Sequence, residues 1–88
     1  MDKIVGLMEE FCTIHNESCR FRRDYSGRGM FGRSCVGIVC SGNPQEMLAG
    51  LCDFLYNNGI VSVKDALENI CQDNMGKDTI LYFPKISL

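Results

Sequence analysis

Cys19-Arg20-Phe21-Arg22-Arg23-Asp24-Tyr25 is the stretch on which the fold turns. Cys19, Phe21, Arg23 and Tyr25 alternate with Arg20, Arg22 and Asp24, a period of two that belongs to a strand with two chemically different faces. One face carries Arg20 and Arg22 together. Just before it the period is helical: Ile4, Leu7, Met8, Phe11 and Cys12 recur at i, i+3, i+4, i+7 and i+8. Asp2, Lys3, Glu9, Glu10 and Thr13 fall outside that apolar stripe. A helix followed by a strand is therefore expected, and the chain belongs to the α+β class.

Ser26 to Gly32 contains three glycines and breaks the strand, after which Cys35 to Cys40, with Val36, Ile38 and Val39, reads as a second, mostly apolar strand. The two should form a β-hairpin with a long loop. Asn43-Pro44-Gln45-Glu46 marks a helix start, with an N-cap, proline at the first helical position and Glu46 placed to reach back. Leu48, Leu51, Cys52 and Leu55 form its buried stripe, and Gly59 after Asn57-Asn58 ends it in a left-handed cap. A third helix is expected from Ser62 as N-cap through Leu67, Ile70 and Cys71 to near Gly76, antiparallel to its predecessor because the connection is short. Thr79 to Phe83 is a last strand, apolar on both faces and closed by Pro84. The expected order is α-β-β-α-α-β, a small three-stranded, mostly antiparallel sheet packed against helices.

Composition bounds the rest. Eighty-eight residues suit one domain over residues 1–88, and 45% apolar with 23% charged residues is a globular balance. Asp2, Glu9 and Glu10 do not suit a secretory leader, and the apolar runs fall far short of the ~18 residues a membrane span needs. A cytoplasmic location without membrane attachment is the expectation. Six cysteines in a secreted chain of this length would suggest a disulfide framework; here Cys52 and Cys71 sit among apolar residues at helical spacing, as small hydrophobes.

All five arginines, Arg20, Arg22, Arg23, Arg28 and Arg33, fall within fourteen residues, with Asp24 the one acid among them, a net charge of +4. Outside that window four lysines face ten acids, a net of −6. Such asymmetry concerns partners, because a field of one sign steers ligands of the other. Guanidinium is a flat fork of donors that fits carboxylate or phosphate and stacks on aromatic rings, and Tyr25 and Phe31 lie in the same window. The expected binding residues are Arg20, Arg22, Tyr25, Arg28, Met30, Phe31 and Arg33. The competing reading is a solvated hairpin whose arginines pair with acids such as Glu9 and Glu10.

Gly27-Arg28-Gly29-Met30-Phe31-Gly32 satisfies G-x-G-x-x-G, but the dinucleotide fingerprint must open a helix, and a strand follows here. Its glycines then supply positive φ angles in a hairpin loop. Cys12, His15, Cys19, Cys35 and Cys40 include the usual zinc ligand types without any Cys-x-x-Cys, and Cys12 belongs to the first helix's apolar stripe. No metal and no cofactor is expected. A single histidine and no nucleophile motif give catalysis little support.

Tyr25-Ser26-Gly27-Arg28-Gly29-Met30-Phe31-Gly32 followed by Cys35-Val36-Gly37-Ile38 resembles a segment of small, mostly uncharacterised proteins encoded by bacteriophages and prophages. The resemblance covers about a fifth of the chain and implies an accessory gene product of a mobile element, a group that includes anti-CRISPR and other anti-defence inhibitors. The expected function is a non-catalytic inhibitor that docks on a host protein complex with an acidic or nucleic-acid-binding surface through Arg20 to Arg33. The alternative is direct nucleic-acid or nucleotide-phosphate binding by the same residues, against which the overall charge of −2 counts. Pairing of an exposed strand edge with a second copy would give a homodimer.

Overall fold

The computed structural model describes residues 2–26 and 34–86. Helix α1 (Asp2–Ile14) is followed by strands β1 (Cys19–Tyr25) and β2 (Cys35–Cys40), helix α2 (Pro44–Asn57), the single turn α3 (Val63–Ala66), and strands β3 (Cys71–Met75) and β4 (Asp78–Phe83). The strands form one antiparallel sheet in the order β1-β2-β4-β3. The α+β class stands, with four strands among the described residues where three were expected. Among the described residues no helix is long and apolar enough to cross a membrane.

The start and end of α2 follow the local chemistry of its sequence. Asn43 Oδ1 accepts from the backbone N–H groups of Gln45 (2.9 Å) and Glu46 (3.3 Å), satisfying two donors that the first turn leaves unpaired. At the other end Gly59 takes φ +96°, its N–H donates to the Tyr56 carbonyl and the Ile60 N–H reaches back to Leu55. That pair of bonds is the Schellman arrangement. It turns Ile60 back onto the core.

The third helix is the correction. It stops at Ala66, and the residues expected to continue it through Ile70 and Cys71 enter β3 instead. Leu67, Ile70 and Cys71 do fall at helical spacing, but so short an apolar run fits either period. Beyond the Leu67 C-cap, Asn69 adopts φ 63°, which keeps the helix from resuming, and β3 then pairs with β4 along its whole length, from Cys71↔Tyr82 to Met75↔Asp78. Gly76-Lys77 forms the two-residue turn between them, with φ +66° at Gly76, as a type II′ turn requires at its first position. Cys71 is thus a strand residue and not part of a helical stripe.

Both helices cover one face of the sheet. Met8, Phe11 and Cys12 of α1 and Met47, Leu51 and Leu55 of α2 are buried against Val36, Ile38, Leu81 and Phe83. Ile4, Leu7, Leu48 and Cys52, also expected in the stripes, lie at the margin of this core and are partly exposed. The opposite face carries a second, smaller buried cluster of Cys35, Val39, Ile80 and Tyr82. Central β2 is therefore buried along its entire length, which explains its continuous apolar sequence.

Candidate binding face

Strand β1 is an edge of the sheet, and its register with β2 decides what it presents. Arg20 faces Val39 and Arg22 faces Gly37, but the next pair is Tyr25↔Cys35, so Arg23 and Asp24 together oppose the single residue Val36. This is a β-bulge, in which one extra residue re-aims everything beyond it. Simple alternation puts Tyr25 with Cys19 and Phe21 toward the helices; the bulge puts it on the far face, with Arg20 and Arg22. Arg23 stays on the helix side of the strand.

The guanidinium of Arg22 lies 5.9 Å from the Tyr25 ring centroid, within cation–π range. That ring packs on Tyr82, centroid to centroid 5.0 Å, and its hydroxyl donates to Asp73 Oδ2 at 2.9 Å. Arg20 donates to Asp78 Oδ2 at 3.3 Å. A polar hollow bounded by Tyr25, Gln72, Asp73 and Asn74 borders the group. The face therefore alternates two arginines and a tyrosine from β1 with two aspartates from the β3–β4 hairpin. Reading the chain locally missed both carboxylates, because Asp73 lay inside the supposed third helix.

Two of the three described arginines pair with the protein's own acids: Arg20 with Asp78, and Arg23 with Glu9 at 2.9 Å. The second is the pairing the solvated-hairpin reading expects. Both are exposed, with side-chain exposures of 70% and 25% for the first and 57% and 52% for the second. Exposed pairs of this kind contribute about 0–1 kcal/mol, so a partner's carboxylate or phosphate can replace the internal one at little cost. Arg22 has no carboxylate partner among the described residues. Arg28, Met30, Phe31 and Arg33, with the glycine pattern Gly27 to Gly32, lie outside the described residues.

Neither a protein-family model, nor a curated protein, nor a solved structure matches this chain.

The cysteines are free thiols. Cys12, Cys19 and Cys40 are on the helix-facing side of the sheet and Cys35 on the other, so the set considered for zinc is divided by the sheet itself. Among the described residues no group of three or more histidine, cysteine, aspartate or glutamate side chains is placed to hold a metal. Burial pushes the Cys12 thiol up to about 12 and also raises Cys19, Cys35 and Cys52. Near neutral pH these groups are protonated, and a protonated thiol is a poor nucleophile.

The tyrosines of the face give it a pH dependence. Burial, then the hydrogen bond and charge of Asp73, raise Tyr25 above the ordinary phenol value; burial, then Cys71, push Tyr82 up to about 12. A phenol whose folded value is raised binds its proton more tightly in the native state. For Tyr82 this contribution to stability is complete below about pH 10 and is lost as the pH rises toward about 12; that of Tyr25 is likewise present below about pH 10 and lost above it. The urea midpoint is expected to fall between about pH 9 and about pH 11.5, and to fall less for Asp73→Asn, which removes the charge opposing ionisation of both rings. An equal fall in the variant would show that Asp73 has no part in it.

Proposed function

We propose that the protein is a non-catalytic binding protein that docks on an acidic or nucleic-acid-like surface of a host protein complex, with Arg22 and Tyr25 at the centre of the contact. The single observation that carries this reading is the bulge in β1, which gathers Arg20, Arg22 and Tyr25 on one face of an edge strand. Arginine and tyrosine are the residue types that supply most of the binding energy at protein interfaces. Arg22 is already held over Tyr25, so less side-chain freedom is lost on docking. Arg20 exchanges Asp78 for a carboxylate of the partner. Arg28, Met30, Phe31 and Arg33, outside the described residues, are proposed as further contact residues on the strength of their sequence alone.

The resemblance of Tyr25 to Ile38 to phage and prophage proteins supports an anti-defence inhibitor of anti-CRISPR type, acting in the host cytoplasm. Asp73 and Asp78 beside the arginines weigh against a dedicated nucleic-acid binder, since they repel phosphate as they attract guanidinium.

Capture from a bacterial lysate is expected to recover a partner with the wild-type chain and with Arg23→Glu, and to lose it with Arg22→Glu. Equal recovery by the Arg22 variant would remove this face from the interface. A mobility shift of labelled DNA or RNA that collapses with added salt, together with no captured protein, would favour the nucleic-acid reading instead.

A further inference from the structure

We infer that Cys19 and Cys40 form an oxidisable pair, a site at which a small-molecule disulfide such as oxidised glutathione closes a cross-strand disulfide at the base of the β1–β2 hairpin. The inference does not rest on the proposed function.

Its starting point is register. Cys19 and Cys40 are direct Cα partners across β1 and β2. One step outward, the Ser41 N–H donates to the Ser18 carbonyl at 3.0 Å, which makes Ser18 and Ser41 a hydrogen-bonded pair. Antiparallel ladders alternate, so Cys19 and Cys40 occupy a non-hydrogen-bonded position; the Cys19 N–H accordingly turns away, to the His15 carbonyl at 2.8 Å. Opposed residues at such positions have Cα atoms about 4.5 Å apart with side chains on the same side, inside the roughly 4.4–6.8 Å that a disulfide spans. Cys40 is also among the groups that raise the Cys19 thiol, after burial.

No other cysteine pair has this relation. Cys35 and Cys71 are on the far face of the sheet, separated by β4, and Cys52 is on α2. Cys12, on the same side of the sheet, is the remaining competitor; it lies on α1 and is not a strand partner of either.

Access comes from a hollow of about 280 Å³ at the end of the sheet, lined by His15, Ser18, Cys19, Cys40, Gly42 and Asn43 among others. The exchange balances with two equivalents of thiol. The thiolate of one cysteine attacks a sulfur of the small disulfide, releasing one thiol and leaving a mixed disulfide. The second cysteine then attacks its partner's sulfur and releases the other. The two protein S–H protons end on the two released thiols, and the two electrons lost by the protein reduce the reagent's S–S bond. Because burial raises the Cys19 thiol, the first attack is slow at neutral pH and quickens as the pH rises. The product would tie the two ends of the segment that contains every arginine of the chain.

The test uses the native, folded wild-type chain incubated with oxidised glutathione at about pH 8.5, near the thiol range, followed by denaturation, alkylation and non-reducing peptide mapping. Expected are two fewer alkylated cysteines and one linked peptide pair, Cys19 to Cys40, lighter by two hydrogens than the sum of its parts. Cys12→Ala should retain that link and Cys40→Ala should abolish it. A dominant Cys12–Cys19 link, links scattered over several pairs, or full alkylation of all six cysteines after incubation would each overturn the inference.

Discussion

Phe83→Ala is expected to remove about 3–5 kcal/mol of stability, as truncation of a fully buried aromatic side chain does. Among the described residues Phe83 is the largest of the completely buried side chains, and it stands on β4 opposite Val36, facing both helices. Its removal deletes apolar area and also leaves a cavity between sheet and helices, which the surrounding strands can fill only partly because β2 and β4 are held by neighbours on either side. An 88-residue chain has little reserve against such a loss. Urea unfolding followed by circular dichroism should show a much lower midpoint with an unchanged slope. A change below about 1 kcal/mol would show that the helix-facing layer is not where the protein keeps its stability.

Gly37→Ala is the second large effect, and it bears on the candidate face because Gly37 is the register partner of Arg22. A Cβ at this position would stand 2.9 Å from Ile80 Cδ1, 3.3 Å from Ile80 Cγ1 and 3.3 Å from the Leu81 carbonyl oxygen. Ile80 is completely buried beside Val39 and Tyr82, so its side chain has little room to yield, and the backbone oxygen has less. A cost of about 1–3 kcal/mol is expected, the usual result of overpacking. Ile80→Val removes the Cδ1 atom that makes the closest approach. In that background the cost of Gly37→Ala should shrink, a coupling that a double-mutant cycle measures directly. Strict additivity would mean that the strain lies elsewhere.

A consequence for function follows from the same contact. The arginines of β1 depend for their placement on the pairing of Arg22 with Gly37, where β2 lies close against Ile80 and Leu81, and on the bulge just beyond Arg22. A variant that displaces β2 there should weaken partner capture without altering any charge. Arg22→Glu, by contrast, should weaken capture while leaving the unfolding free energy within about 0.5 kcal/mol of wild type, as exposed surface substitutions usually do.

What the chain's own sequence determined is everything set by interactions within a few residues: α1 from its apolar stripe, β1 and β2 from their change of period, and α2 from the Asn43 cap to the Gly59 stop. Such signals are legible because a cap or a periodic face needs only its immediate neighbours. Three features were decided by tertiary structure alone. Residues Cys71 to Met75 became a strand because β4 offered a ladder that a short, ambiguous apolar run could join. Tyr25 changed faces because β2 opposes two residues of β1 with one. Asp78 met Arg20 across 58 positions of chain, and Asp73 met Tyr25 across 48. Pairing across the sheet depends on register between distant segments, and register is a property of the assembled strands, which no single stretch of sequence contains.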